Sequence, residues 1–439
     1  MANSRRIDYH VTPGGRLQGR LRVAGDKSMS HRAVMLGSLA SGTTRVTGLL
    51  EGEDVLCTLG AFRAMGVRAD GPDNGRLVIQ GAGLRGLKAP VQPLDMGNSG
   101  TAMRLMAGIL AGQSFESTLF GDESLSKRPM RRVSEPLGQM GAHIETAEGG
   151  RPPLRIKGGR RLRGIEYVLP VPSAQVKSSL LLAGLYADGD TVITEPASTR
   201  DHTERMLRGF GYDVRVTGPT VRVRGGGQLL ARDVDVPADI SSAAFFLVGA
   251  CIAPGSDLTL EHVGINPTRI GVLNILKLMG ADIELQNARE VGGEPVADIR
   301  VRAARLRGIR IPEDQVPLAI DEFPALFIAA ACADGETVLT GAEELRVKES
   351  DRIATMAQGL KRLGTDATET PDGIVIRGGA LRGGEIDSHG DHRIAMSFAM
   401  AGLRAQGAIT VRDCKNVDTS FPGFARLAAS SGLALDVAG

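Results

Sequence analysis

Gly25-Asp-Lys-Ser-Met-Ser-His-Arg32, Ala33-Val-Met-Leu-Gly-Ser-Leu-Ala-Ser-Gly42 and Thr43-Thr-Arg-Val-Thr-Gly48 follow one another as loop, helix, turn and strand. Val34, Leu36 and Leu39 fall on overlapping turns of a helix that Gly42 stops, and alternating β-branched residues follow it. Ser28 or Ser30 is expected to cap this helix with its hydroxyl. Lys27 and Arg32 flank the first turn, where the helix macrodipole is already positive, so their placement costs free energy unless an anion sits there. A solvated basic loop and a pocket for a phosphate or carboxylate both remain open on this stretch alone.

Repetition shifts the balance. Six times the chain passes from an Ala-rich apolar helix through a glycine into a short strand, with that glycine at 42, 112, 189, 255, 335 and 407. Between these cassettes a second helix ends each time in an apolar residue plus Gly before a strand: Met65-Gly66, Met140-Gly141, Phe210-Gly211, Met279-Gly280 and Leu363-Gly364, with Ser431-Gly432 as a worn sixth copy. Six pseudo-repeats of about 70 residues thus account for nearly the whole chain.

A chain of 439 residues with 42% hydrophobic content is long enough for two cores, and six repeats divide as three and three. The 52 basic and 50 acidic residues leave no global field to attract nucleic acid, so any anion site is local. With aromatics at 3% and no Trp there are few platforms on which bases could stack, which points to a small anion as ligand. Cys57, Cys251, Cys332 and Cys414 lie far apart with no Cys-x-x-Cys pair, as expected of reduced, buried thiols in a cytosolic protein. No signal-peptide pattern opens the chain, and the longest apolar run, Ala243 to Pro254, is too short to span a bilayer, so a cytoplasmic location with no membrane partner is expected.

The clearest candidate boundary is Asp233-Val-Asp-Val-Pro-Ala-Asp239, between a strand and the fourth cassette. Residues 1 to about 20 cannot complete a repeat by themselves and are expected to cross over to the later half. One domain would then comprise 21–237, the other 1–20 plus 238–439, with the active site in the cleft between them and two crossing strands as a hinge.

The six helix openings are Lys27-Ser28 with Arg32, Asn98-Ser-Gly-Thr101 with Arg104, Ser173-Ala-Gln175, Asp239-Ile-Ser-Ser242, Asp321-Glu-Phe-Pro324 and Asp391-His-Arg393. Ordinary N-capping accounts for the serines and aspartates but gives no reason for Arg32, Arg104 and Arg393 in a first or second turn. If pseudo-symmetry aims several helix starts at one place, dipoles and cations sum into a site for a multiply charged anion. Asp26 interrupts any P-loop spacing, and no Gly-x-Gly-x-x-Gly opens a helix after a strand. His389-x-x-His392 lacks further metal ligands and reads better as a structural loop. Asp321, between apolar segments, is either an N-cap or a partly desolvated acid; Glu349, flanked by Lys348 and Arg352, is either part of a solvated helical charge run or half of an acid/base pair in a cationic pocket.

Asp26-Lys-Ser with His31-Arg32, Gly97-Asn-Ser-Gly-Thr-Ala-Met-Arg104, Lys127-Arg-Pro129, Ser173-Ala-Gln175, Arg200-Asp-His-Thr-Glu204, Leu345 to Arg352 and Asp391-His-Arg393 resemble the 5-enolpyruvylshikimate-3-phosphate synthases, in order and over essentially the full length. The resemblance implies a two-domain inside-out α/β barrel, each domain made of three βαβαββ units around buried parallel helices. It implies a transferase of the shikimate pathway to aromatic amino acids, a 3-phosphoshikimate 1-carboxyvinyltransferase, moving the enolpyruvyl group of phosphoenolpyruvate to the 5-hydroxyl of shikimate 3-phosphate with release of phosphate. Carried over by position, Lys27, Ser28, Arg32, Ser173, Ala174, Gln175, Arg200, Asp321 and Lys348 would bind shikimate 3-phosphate. Lys27, Gly100, Arg128, Gln175, Arg352, Arg393 and, more weakly, Lys415 would surround phosphoenolpyruvate. Asp321, Glu349 and Lys27 would be catalytic, and neither cofactor nor metal is implied; a monomer acting on small molecules is expected.

Two features follow a second branch of that family, which includes members tolerant of glyphosate, the inhibitor that targets these enzymes: Ala174 where many members have Ser, and Arg200 where they have Tyr. A lysine of the first branch near the terminal Ser-Phe-Pro is replaced by Thr419, and Lys415 does not align with it. The UDP-N-acetylglucosamine enolpyruvyl transferases share the fold but typically carry a reactive Cys in the loop that here reads Asp122-Glu-Ser-Leu-Ser-Lys-Arg-Pro129, and no Cys is present there. A catalytically silent anion-binding scaffold is opposed by the intact Lys27, Asp321, Glu349 and Arg128.

Overall fold

The computed structural model describes residues 6–439. The six Ala-rich cassettes form the helices Lys27–Leu39, Gly100–Ala111, Ala174–Gly184, Ile240–Ile252, Phe323–Ala331 and His392–Ala401. They are buried on nearly every face, as helices inside a core are; every residue from Ile240 to Ile252 is buried. The second helix of each repeat is amphipathic instead. Arg352–Arg362 buries Ile353, Met356 and Leu360 on one stripe and ends in Lys361 and Arg362, which suit the negative end of the dipole.

These second helices stop by one recurring device. After Glu53–Ala64, Gly66 takes φ +89°, its N–H donates to Arg63 O at 3.0 Å, and Val67 N–H donates to Phe62 O at 3.0 Å. That pair of bonds closes a helix end through a left-handed residue, a conformation Gly adopts without a Cβ penalty. The same pair recurs at Ala142 to Leu137, Tyr212 to Leu207, Ala281 to Leu276 and Thr365 to Leu360.

Each repeat contributes a small sheet. In the second repeat Leu94–Asp95 pairs parallel with Ser117–Phe120, which pairs antiparallel with Arg151–Lys157, itself antiparallel to His143–Ala147. Five sheets have four strands in this order and the fifth-repeat sheet has three, its parallel edge reduced to bridges at Arg307 and Arg310. Two edge strands are exchanged: Gln18–Leu21, which precedes the first cassette, pairs parallel with Asp257–Gly264, whereas Val234–Asp235, which precedes the fourth, pairs parallel with Ser41–Thr47. The sixth sheet is completed from the start of the chain, with Asp8–Gly15 lying antiparallel between Ile409–Arg412 and Leu433–Ala438.

The chain forms two compact units, one of Gly25–Val236 with Val291–Gly293, the other of the chain up to Ala24 with Pro237–Glu290 and Glu294–Gly439. We call them the first and second unit. In the second unit the Ile240, Phe323 and His392 helices pack on one another, and Tyr9 on the inserted strand stacks on Phe424, with ring centroids 6.3 Å apart.

Capping corrects one expectation. Neither Ser28 nor Ser30 caps the Lys27 helix; Asp26 does, its Oδ1 accepting from Met29 N–H at 2.8 Å, and Ser30 lies inside the helix, where its Oγ accepts from Leu50 N–H at 2.9 Å. Carboxylate and hydroxyl cap comparably well, so the position three residues before a free N–H decides. The expectation of four buried thiols also holds only in part: Cys251 and Cys414 are buried, Cys57 and Cys332 half-buried.

Candidate active site

In the first unit the starts of the three core helices are tied together by polar side chains. Lys27 opens its helix and pairs with the buried carboxylate of Asp54 on the neighbouring helix. His31, one turn on, is fully buried between Thr58 Oγ1, 2.8 Å from Nδ1, and Ser99 Oγ, 3.5 Å from Nε2. Burial, with Lys27 and Arg32 beside it, holds its pKa well below the ordinary imidazole value, so it is neutral. Arg32 is buried: Nε donates to Thr203 Oγ1 at 2.7 Å, Nη2 to Ser178 Oγ at 2.8 Å and Nη1 to Ser28 O at 2.9 Å.

Ser99 caps the Gly100 helix and Ser173 the Ala174 helix, through Ala102 N–H at 3.1 Å and Val176 N–H at 3.4 Å. Gln175, two residues beyond Ser173, bridges the two helices: its Oε1 accepts from Arg104 Nη1 at 2.6 Å and its Nε2 donates to Thr101 Oγ1 at 2.9 Å. Arg128 reaches the same helix start, its Nη2 donating to Asn98 Oδ1 at 2.8 Å. Gly100 sits under both guanidinium groups, so that a Cβ there would stand 2.9 Å from Arg104 Nη1 and 3.2 Å from Arg128 Nη1. Arg200 is half-buried in the loop that leads into the helix His202–Gly209. The unit therefore gathers Lys27, Arg104 and Arg128 around helix N-termini, an arrangement suited to anionic ligands.

The second unit holds a cluster of carboxylates and cations around Arg352. Asp321 caps no helix: Glu322 occupies the N-cap position of the Phe323 helix without a side-chain capping bond, and Asp321 Oδ1 instead faces Arg352 Nη1 at 3.4 Å and Lys348 Nζ at 3.7 Å. Glu349 lies outside any helix, between the 3-10 turn Glu343–Val347 and the helix that Arg352 opens, so no helical charge run forms; its Oε2 accepts from Arg352 Nη2 at 2.7 Å. Arg352, 1% exposed, also gives Nε to Asp391 Oδ2 at 2.9 Å. Burial opposes the charge on Arg352, but Asp391, Glu349 and Asp321 overcome it and keep the group firmly protonated. Burial likewise raises Asp391, and the charges of Arg352 and His392 more than reverse this, leaving it ionised below the usual carboxylate range.

Asp391 also caps the His392 helix through Arg393 N–H at 2.9 Å, and Arg393 Nη1 donates to Asp321 O at 2.9 Å, which fixes the backbone of Asp321. Within one cluster Arg352 thus joins two carboxylates aimed at its outer nitrogens to a third that anchors its base. Lys415 is exposed at the start of the 3-10 turn Lys415–Thr419, which docks on the His392 helix start through Asn416 Nδ2 to Gly390 O at 2.7 Å.

Sequence reasoning missed several partners: buried Asp54 for Lys27, half-buried Asn98 for Arg128, and buried Arg269, whose Nη2 donates to Asp239 Oδ1 at 3.0 Å and to Ser241 Oγ at 2.6 Å beside Glu322. It also passed over Lys177. A lysine inside Val176-Lys-Ser-Ser-Leu-Leu-Leu182 was a visible signal, because an apolar helix rarely takes a charge without a partner. Among the described residues no group of three or more His, Cys, Asp and Glu is arranged to hold a metal ion, and no helix is long and apolar enough to cross a membrane.

Residues 11–427 match the family model described as EPSP synthase (3-phosphoshikimate 1-carboxyvinyltransferase). The chain is 68% identical over 431 residues to the 3-phosphoshikimate 1-carboxyvinyltransferase of Methylococcus capsulatus, covering 98% of this chain and 99% of that one. To the protein of the same name from Alkalilimnicola ehrlichii it is 67% identical, covering 98% and 96%. A solved structure of EPSP synthase from Acinetobacter baumannii superposes with a TM-score of 0.91 at 58% identity, over 99% of this chain and 100% of that one. On the match of sequence and fold over nearly its full length, the chain belongs to the EPSP synthase family.

Proposed function

We propose that the protein transfers the enolpyruvyl group of phosphoenolpyruvate to the 5-hydroxyl of shikimate 3-phosphate, forming 5-enolpyruvylshikimate 3-phosphate and phosphate in the shikimate pathway. One observation carries the chemistry: Asp321 and Glu349 meet on the outer nitrogens of a single buried arginine, Arg352, with Lys348 beside Asp321. Two carboxylates held a guanidinium apart suit two opposed proton transfers. Asp321 takes the proton of the 5-hydroxyl as its oxygen bonds to C2 of phosphoenolpyruvate, and Glu349, with Lys27, delivers a proton to the methylene carbon C3. The tetrahedral adduct then loses a proton from C3 and expels phosphate, while the cations stabilise the charge that develops on it.

Shikimate 3-phosphate is assigned to Lys27, Ser28, Arg32, Ser173, Ala174, Gln175, Arg200, Asp321 and Lys348. Phosphoenolpyruvate is assigned to Lys27, Gly100, Arg128, Gln175, Arg352, Arg393 and Lys415. Addition and elimination need proton transfer and anion stabilisation but no electron transfer, so neither metal nor cofactor is assigned, and a cytoplasmic monomer is expected. The deciding experiment measures phosphate release with both substrates against controls lacking either. Release that needs shikimate 3-phosphate is expected; release with UDP-N-acetylglucosamine in its place would overturn the assignment.

A further inference from the structure

Lys177 lies one turn into the Ala174–Gly184 helix, the helix that Ser173 and Gln175 open, and its side chain is 1% exposed. Its Nζ stands 2.8 Å from Glu195 Oε2 and 2.6 Å from Glu204 Oε1, both carboxylates buried. Glu195 follows directly on the strand Asp190–Thr194, and its backbone N–H donates to Pro219 O at 2.9 Å. Glu204 belongs to the helix His202–Gly209. The two glutamates therefore bracket the loop that carries Arg200, and within it Thr199 Oγ1 donates to Glu195 as well. The next residue repeats the tie: Ser178 Oγ accepts from Thr203 Oγ1 at 2.7 Å, and both contact Arg32.

Core packing does not explain a charge at this place. Desolvating a lysine and two glutamates costs several kcal/mol per ion, and apolar residues of similar volume commonly serve a core as well or better. What the triad supplies and apolar packing does not is directional attachment of both ends of one loop to one helix. We propose that Lys177 is a positioning residue for the shikimate 3-phosphate subsite: by holding Glu195 and Glu204 it sets the loop that presents Arg200 relative to Ser173 and Gln175, without touching the ligand. This rests on the reading above that Arg200 and Ser173 bind shikimate 3-phosphate.

Lys177→Met alone strands two buried carboxylates and is prone to unfold, so the test uses the charge-free triple variant Lys177→Met/Glu195→Gln/Glu204→Gln beside it. Steady-state kinetics should show the shikimate 3-phosphate KM raised about tenfold or more, since small misplacements of positioning groups are costly, with the phosphoenolpyruvate KM within about twofold of wild type and the thermal midpoint largely retained. A purely structural role would move the thermal midpoint and both KM values together. In an Arg200→Ala background the triple substitution should add less than about twofold to the shikimate 3-phosphate KM, because the loop then presents nothing. A wild-type KM for the triple variant, or effects that multiply fully with Arg200→Ala, overturns the positioning role. Arg200→Ala leaving that KM unchanged overturns the subsite reading itself.

Discussion

Asp321 gains its surroundings from what it does not do. Because Glu322 holds the N-cap position, the Asp321 carboxylate is left to face Lys348 and Arg352 while Arg393 fixes its carbonyl. Asp321→Ala is expected to lower kcat by roughly 10²–10⁴-fold, the contribution of a positioned base, while calorimetry still registers shikimate 3-phosphate binding; near-normal turnover would remove Asp321 from the mechanism. His31 makes a pH prediction. Its folded pKa lies below the unfolded value of about 6.5, so the unfolded chain takes up the proton first. The stability it contributes is complete above that pH and is lost as pH falls toward the folded pKa, by up to ~1.4 kcal/mol per pH unit. Urea midpoints at neutral and mildly acidic pH should therefore fall further for wild type than for His31→Gln, and equal falls would show that His31 is not the group responsible. At Gly100 an added methyl would press on Arg104 and Arg128. Glyphosate is expected to inhibit competitively with phosphoenolpyruvate, and because it is the longer ligand, Gly100→Ala should raise its inhibition constant by a larger factor than the phosphoenolpyruvate KM. The difference is steric and worth on the order of 1–3 kcal/mol; equal changes in the two constants would mean that the methyl merely disturbs the helix start.

Among the elements, five of the six core helices begin with a capping side chain, and two of those side chains do a second job. Asp26, Ser99, Ser173, Asp239 and Asp391 each accept a helix N–H, and Asp239 and Asp391 also receive buried arginines. A capping carboxylate thereby stabilises a guanidinium that the macrodipole alone would repel. Asp26→Ala should cost about 1 kcal/mol of folding free energy in urea titration, whereas Ser28→Ala should lie within about 0.5 kcal/mol of wild type. A larger loss from Ser28→Ala would show that its hydroxyl, not the Asp26 carboxylate, secures the helix start.

For the whole molecule the decisive feature is the strand Asp8–Gly15, which completes a sheet built otherwise from residues 384 onward. It carries Tyr9 and Val11, both buried, each contributing roughly 1.5–3 kcal/mol, and it pairs two strands that would otherwise present open edges. Against a typical total of about 5–15 kcal/mol, its loss should unfold the second unit. A chain lacking residues 1–16 is expected to be digested by protease throughout the second unit while a fragment near Gly25–Val236 survives. Resistance of the full length would show the strand to be dispensable.

The six repeats, the helix-to-strand cassettes, the Gly66-type stops and the cations at helix starts were legible in the sequence, because each is a local or periodic pattern whose physics acts within a turn or two. Asp321 and Glu349 stood out as carboxylates in unusual apolar or cationic surroundings, but their alternatives stayed open there. Tertiary packing set their surroundings, since only it brought Arg352 to Asp321 and Asp391, across separations of 31 and 39 residues. It also decided that Lys177 would meet Glu195 and Glu204 and that the first strand would close the last sheet. Burial makes an ionic partner obligatory without saying which residue it must be, and that choice falls to whatever side chain the fold places within a few ångströms.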